Sequence, residues 1–315
     1  MRKGMNFAVG YDVSSLPAYV EQNRDILISQ TVMGADSLRY FRKMTGVKGK
    51  AAINLMDLTP TVVCGTTCGF SAGNAVALTQ KEIQTCYHKV NLEFCPEQMA
   101  NTYAEWAIEV GARKTEFPFE QYFAELLRDR IRQTIENEIW MGVSGFGCCN
   151  GLLAQASPDM DCSCPEGGMD GFSAVMNAYL GLRAKYSGGK GINIFVDPVI
   201  FDAFCISLVQ KNLFHYDLRE ERPGVVFLPG TNARVINTLG LMGTNNIFAA
   251  TEDNLVYATD MESNSEEFRI WYSDDADMWR VKVKWNGGAT WIWDDEKYWL
   301  AMYCTPNAGI TACAS

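Results

Sequence analysis

The last third of the chain, from about Asn193 to Trp299, reads as strand after strand, and no other stretch limits the fold so strongly. Asn193-Ile-Phe-Val-Asp-Pro198 is a short apolar strand closed by a proline. Asn246 to Thr259 reads as a strand, a polar turn and a second strand. Glu266 to Ser273 and Trp279 to Trp285 alternate with period two, and Gly287-Gly288 is expected to turn the chain into a further strand, Ala289 to Trp293. This stretch carries no acid, base or nucleophile in a working arrangement. A chain built this way is expected to work by surfaces and assembly rather than by chemistry in a pocket.

The remainder is long enough to enclose a large core. With 315 residues, 48% of them hydrophobic, the chain supports one big domain or two smaller ones. The formal net charge is -10, and the longest basic cluster, Arg39, Arg42, Lys43, Lys48 and Lys50, reads as a solvated helix face and loop. Binding that gains affinity by neutralising phosphates needs a basic face, so sequence-specific nucleic-acid binding is not expected. No apolar run is long enough to span a bilayer. No apolar stretch follows the basic start Met1-Arg-Lys as a signal peptide requires, so the product is expected to stay in the cytoplasm of the cell that makes it. The 11 cysteines are then expected to be reduced, with Cys86, Cys95 and Cys205 acting as small core residues.

Residues 1–45 read as an arm. Ser14-Ser15-Leu16-Pro17 starts a helix through Tyr19, Ile26, Leu27 and Val32, and Asp36 or Ser37 caps a second short one through Leu38, Phe41 and Met44. Both are thinly apolar and need something to lie against. Between Gly46 and Pro96, two β-rich arms flank a bend at Gly65-Thr-Thr-Cys-Gly69 and Ser71-Ala-Gly73, which predicts a long hairpin. Pro96 and Glu97 open a helical region through Met99, Tyr103, Trp106 and Val110. The strongest helix spans 118–141: Phe119, Tyr122, Phe123, Leu126, Leu127, Ile131, Ile135 and Ile139 recur at three and four residues, while Arg128, Asp129, Arg130, Arg132, Glu136 and Glu138 fill the other face. At 1.5 Å per residue its roughly 24 residues make a spine of about 36 Å. A helix from Gly171 or Phe172 through Leu182, a flexible junction at Ser187-Gly-Gly-Lys-Gly191, and a helix capped by Asp197-Pro198 follow.

Chemical motifs are sparse. His88 and His215 lie in no catalytic pattern and read as surface or helix-end residues. Cys148, Cys149, Cys162 and Cys164, with Asp159 and Asp161 nearby, are the metal candidates, but adjacent cysteines and a one-residue gap wrap a zinc ion poorly. Cys64 and Cys68 lack a second pair. The glycine-rich junction lacks the Lys-Ser/Thr of a phosphate loop, and Asp274-Asp275 and Asp294-Asp295 read as hairpin turns rather than calcium loops. No cofactor is called for.

Five strings then carry a family resemblance: Val90-Asn-Leu-Glu-Phe-Cys-Pro96, Asp197-Pro198-Val-Ile-Phe-Asp-Ala-Phe204, Leu228-Pro-Gly230, Asn254-Leu-Val-Tyr-Ala-Thr-Asp260 and Glu267-Phe-Arg-Ile-Trp-Tyr272. In this order, after an arm, a hairpin and a spine helix, they resemble the major capsid proteins of tailed bacteriophages of the Hong Kong 97 fold, especially those of gut-bacterial phages. The resemblance implies an α+β chain with an N-terminal arm (1–45), an extended loop (46–95), a peripheral domain with the spine helix (96–189, completed by 260–315) and an axial domain (190–259). It implies a shell of hexamers and pentamers around double-stranded DNA, in the virion and assembled in the host cytoplasm. The implied partners are copies of the chain, a scaffolding protein, a portal and decoration proteins, with no membrane and no sequence-specific contact to the DNA. The arm begins within a few residues of Met1, so a separate scaffold is expected rather than a cleaved leader. Lys48, Lys50, Lys81 and Lys89 lie in or near the loop, but no motif selects one for a cross-link. Among the cysteines, Cys64 and Cys68 on the loop are the first candidates for inter-subunit disulfides after lysis. Two alternatives stand beside this reading: an encapsulin-type compartment of the same fold, and a cytosolic thiol or zinc enzyme using the 148–164 cysteines.

Overall fold

The computed structural model describes residues 34–58, 76–95, 119–142, 150–156, 170–186, 188–211, 220–222, 224–260, 267–276, 278–295 and 298–303. A 3-10 turn at Asp36–Tyr40 is followed by β1 (Arg42–Met44), β2 (Lys50–Leu58), β3 (Val76–Gln84) and β4 (Cys86–Phe94). The helices α1 (Phe119–Met141), α2 (Leu152–Ala156) and α3 (Gly171–Lys185) come next, then β5 (Ile192–Val196) and α4 (Pro198–Gln210). The strands β6 (Glu220–Arg222), β7 (Val225–Phe227), β8 (Ala233–Asn237), β9 (Asn246–Thr251) and β10 (Leu255–Thr259) precede β11 (Glu267–Ser273), β12 (Met278–Trp291) and β13 (Trp299–Tyr303). The chain divides into two compact units: Met1–Ala35, Tyr87–Ile135 and Met261–Asn286 form the first, and Asp36–Cys86, Glu136–Asp260 and Gly287–Ser315 the second.

The second unit is built on a six-stranded mixed sheet in the order β13-β9-β5-β8-β7-β6. Every residue of β5 and β9 is buried, as expected of central strands covered on both faces. Strand alternation sorts the two faces by chemistry. Ile192, Ile194 and Val196 join Val175 and Leu182 of α3, and Phe204 and Leu208 of α4, in one largely aliphatic core. On the other face Phe195 and Phe248 meet Trp140 from the end of α1, at ring distances of 4.9 and 5.6 Å. Phe41 adds an edge contact to Trp140 at 6.2 Å, and Trp291 stacks on Trp299 at 4.6 Å. Each such fully buried side chain is worth about 1.5–3 kcal/mol of burial.

Local signals explain the helices. Asp170 caps α3 by accepting from Ser173 N at 2.6 Å, and Arg183 and Lys185 sit in its last turn, where the helix dipole favours cations. Asp197 caps α4 with Pro198 just inside, but its role is wider. This wholly buried carboxylate accepts from Val199 N through one oxygen, and from Thr244 N and Asn245 N through the other, each at 2.9 Å. It therefore ties the start of α4 to the turn that feeds β9, where Asn245 takes a φ of 55°. Gly171 lets α3 approach α4 closely: a Cβ there would stand 2.2 Å from Phe204 N.

The same unit holds the β2–β3 hairpin, paired in unbroken antiparallel register from Lys50↔Gln84 to Leu58↔Val76. The expected hairpin arm does not continue through Val90. The chain passes Thr85, and β4 pairs with β12 instead. Two other expectations change. The segment after Asp36 is a single 3-10 turn followed by β1, in parallel register with β10 from Arg42↔Val256, so Phe41 and Met44 are not on a helix. Gly287-Gly288 makes no turn: β12 runs straight through it and pairs with β10 as far as Leu255↔Trp291. The glycines serve close approach, since a Cβ on Gly288 would lie 2.1 Å from Gln84 O and one on Gly287 2.3 Å from the Tyr257 hydroxyl.

In the first unit, β12 pairs antiparallel with β11 from Glu267↔Lys284 to Ser273↔Met278. Trp279, Val281, Val283 and Trp285 are buried and alternate with half-exposed Arg280, Lys282 and Lys284 or the exposed Met278. Phe123, Leu127 and Ile131 give α1 its buried stripe here, with Phe123 against Phe94 at 4.7 Å.

Candidate functional site

The hairpin and the short arm segment before it supply the candidate surfaces. The hairpin root is locked. Thr85 N donates to Gly49 O at 2.6 Å, Gly49 N donates to Thr85 Oγ1 at 3.1 Å, and Gly49 takes a φ of 81° that suits glycine. Val47, Ile83, Val256, Ala258 and Ile292 form a small core under it, with Ile53 and Leu55 packed against that core. Lys81 ion-pairs with Asp294 and lies 5.5 Å over the Trp291 ring. The opposite hairpin face is open. Asn54 accepts from Gln80 at 3.1 Å, and the next pair outward is Met56↔Leu78, 58% and 72% exposed. Two large apolar side chains stand side by side in water on a firmly rooted stem.

The arm is held at Ser37. Its N–H donates to Glu136 Oε2 at 3.2 Å, its hydroxyl donates to Glu136 Oε1, and Trp140 Nε1 donates to the Ser37 oxygen at 3.0 Å. Burial pushes the Glu136 carboxyl above its ordinary range, and the Ser37 hydrogen bonds partly offset that rise. Gly240 completes the fit, because a Cβ there would come 2.5 Å from Glu136 O. Glu136 thus leaves the solvated helix face expected for it and lies 5% exposed. Its sequence signal is local: a carboxylate set among Ile135, Ile139 and Trp140. Burial likewise pushes Glu138 up to about 7.

The chemical candidates disperse. His88 is half-buried and stacks on Trp285 at 5.4 Å. Cys148, Cys149, Cys162, Cys164, Cys64, Cys68 and His215 lie outside the described residues, as do the arm helix at 14–32, the hairpin bend and the helix after Pro96. Among the described residues no group of three or more His, Cys, Asp or Glu could hold a metal ion. Asp294 serves Lys81 and Trp291 Nε1, the latter at 2.9 Å, so it works as a structural turn. At the glycine-rich junction Lys190 pairs with Asp253 at 3.2 Å and Gly191 N donates to Glu252 at 3.3 Å. Lys190, Glu252 and Asp253 border an open cavity of about 330 Å³ with Tyr186, Trp293 and Tyr298. Cys95 and Cys205 form no disulfide, but Cys86 is disulfide-bonded, which corrects its reading as a reduced core residue.

No protein-family model matches the sequence, and neither does any curated protein. Solved structures do. A chain from the capsid of Ralstonia phage GP4 matches with a TM-score of 0.58 at 10% identity, over 86% of this chain and 89% of that one. A chain from the satellite phage P4 procapsid, determined with its size determination (Sid) protein, matches with a TM-score of 0.57 at 10% identity, over 89% and 90%. One from the capsid of an empty GTA particle gives 0.54 at 10% identity, over 86% and 90%. With strands dominating a mixed α+β chain and the match running through nearly all of it, the protein has the Hong Kong 97-type fold of phage capsid proteins.

Proposed function

We propose that the chain is the major capsid protein of a tailed phage, a structural subunit whose copies assemble as hexamers and pentamers into an icosahedral shell around double-stranded DNA. The observation that carries this reading is the hairpin: a rooted stem displaying Met56 and Leu78 to solvent is a poor design for a monomer and a good one for a subunit that lies over its neighbour. The fold shared with the phage capsids supports it. In this reading residues 1–45 are the arm, 46–95 the extended loop, 96–189 with 260–315 the peripheral domain, and 190–259 the axial domain. The subunit resides in the virion after assembly in the host cytoplasm, with a scaffolding protein, a portal and decoration proteins as further partners. A resemblance to the capsid proteins of gut-bacterial phages belongs to the same reading. Among the described residues no helix is long and apolar enough to cross a membrane. Electron microscopy of the expressed chain, alone and with a candidate scaffold, tests the proposal. Shells or capsomers are expected. A monodisperse monomer under every assembly condition would overturn it.

A further inference from the structure

The glycine-rich junction before β5 helps to wall a cavity that shell assembly leaves without a role. The cavity measures about 330 Å³, and every residue that lines it belongs to the second unit. Trp293 and Tyr298 are half-buried and line it with ring centroids 5.4 Å apart and planes 30° from parallel. Tyr186 continues this aromatic wall, 5.9 Å from Tyr298. One buried residue holds the rings in place. Asn254, 2% exposed, accepts from Trp293 N at 2.9 Å and donates through Nδ2 to Tyr298 O at 3.4 Å. Thr251 N donates to the same Tyr298 oxygen at 3.0 Å. On the junction side, Arg183 donates to Tyr186 O at 3.3 Å and to Gly188 O at 2.8 Å. Gly188 lies so close to the Tyr186 ring that a Cβ there would stand 2.2 Å from the phenol oxygen.

The polar rim is a set of opposite charges. Lys190 Nζ lies 3.2 Å from Asp253 Oδ2, while Glu252 is held on one oxygen by Arg234 and on the other by Gly191 N. These charges cancel in pairs, so the rim favours neither an anion nor a cation. Lys190 and Asp253 are both exposed, and their contact uses only one of the ammonium donors and one of the carboxylate's acceptor positions. The rim therefore donates and accepts at once. The rings of Trp293 and Tyr298 stand too close for a flat base to enter between them, because contact on both sides needs about 7 Å. A ligand must lie against the wall they form together. We infer that this cavity binds a neutral sugar ring, with its C–H face on Trp293 and Tyr298 and its hydroxyls on Lys190 and Asp253. Sugar C–H bonds carry partial positive charge and suit the negative face of an aromatic ring. A cavity of this size, with a fixed aromatic wall and a few convergent polar groups, has the build of a small-molecule site. Binding there needs no assembly, so it stands or falls apart from the capsid reading.

Saturation-transfer NMR on the full chain is the test, with the methyl glycosides of glucose, galactose and N-acetylglucosamine as probes. At least one should receive saturation on its ring C–H protons, with a dissociation constant of roughly 1 mM for so small a ligand. Trp293→Ala should weaken that binding by about tenfold, and Trp293→Phe should keep most of it. Trp293 also packs against the small core under the hairpin, so a second variant guards against misfolding. Lys190→Ala with Asp253→Gly removes the exposed ion pair, and glycine accepts the φ of 67° at that position. It should weaken binding by a similar factor. Lys48→Ala, on the hairpin root, should change nothing. Maltotriose and chitotriose separate the sources of the ligand. Tighter binding of a trisaccharide points to the end of a polysaccharide, equal binding points to a single free sugar, and either result supports the site. Absence of transfer to every glycoside and trisaccharide, or transfer undiminished in both the alanine and the double variant, would overturn the proposal. So would binding of tetramethylammonium where no sugar binds, because the rings would then form a cage for cations.

Discussion

The six-stranded sheet and the β2–β3 hairpin belong to the same unit and are built on opposite principles. The sheet buries both faces inside its own chain, aliphatic residues against α3 and α4 and aromatic residues against Trp140 and Phe41. The hairpin buries one face at its root and leaves the other in water, with Met56 and Leu78 outermost among the side chains described. A sheet with two covered faces is complete by itself. A ribbon with one covered face is stable only at its root, and the rest of its apolar surface gains burial when a second chain arrives. Interior substitutions should therefore show in the stability of the isolated subunit, and hairpin substitutions only in assembly.

The largest effect belongs to the sheet. Phe204, wholly buried between α4 and the strands, should cost about 3–5 kcal/mol when changed to alanine. A chemical denaturation midpoint measures this, and a loss below about 1 kcal/mol would mean that the interior is far looser than described. Asp197→Ala comes next. Three backbone N–H groups lose their acceptor, and the α4 cap goes with them, for about 2–3 kcal/mol. Asp197→Asn should recover part of this, because its side-chain oxygen still accepts.

The acidity of three carboxyls gives a third, smaller contrast. Glu138 titrates at about 7 when folded against an ordinary value of 4.5, because burial disfavours its charge. A raised folded value means stability that is full below about 4.5 and is lost as pH rises through about 7. Glu136 shifts in the same direction. Asp170 shifts oppositely, to about 2, held down first by Lys211 and then by Ser173, so its contribution is present above 3.8 and lost as pH falls toward 2. The folded unit should be more stable at pH 5 than at pH 8 by roughly 1–3 kcal/mol from Glu138. Glu138→Gln should flatten that slope in thermal melts, and an unaltered slope would remove Glu138 as its source.

What the sequence disclosed follows the same division. Periodicity located α1, α3, α4 and the β9-turn-β10 segment, because each is governed by residues a few positions apart and bounded by caps such as Asp170 and Asp197. It misjudged Gly287-Gly288, since the demand for glycine there comes from Gln84 and Tyr257, residues distant in the chain, and not from a local turn. It left Glu136 on a solvated face because Ser37, its partner, lies 99 residues earlier. The β4–β12–β11 pairing was hidden for the same reason: Lys89, Arg269 and Lys282 lie far apart in the chain and come onto one sheet only after these strands pair.

The sharpest break between the two regions is the one with the smallest thermodynamic effect. Met56→Ser with Leu78→Ser removes the exposed apolar pair while keeping the strand register, which Asn54, Gln80 and the backbone ladder still set. The free subunit should lose no more than about 0.5 kcal/mol, as expected of surface positions. Assembly should fail, because the apolar area meant for a neighbour is gone and burying two hydroxyls in its place carries a desolvation cost. Sedimentation and electron microscopy of the double variant, beside its denaturation curve, separate these outcomes. If the denaturation midpoint falls as far as it does for Phe204→Ala, the hairpin is part of the subunit's own core and the contrast is wrong. If stability holds and shells still form, Met56 and Leu78 do not make the contact, and the neighbour's seat must lie elsewhere on the loop.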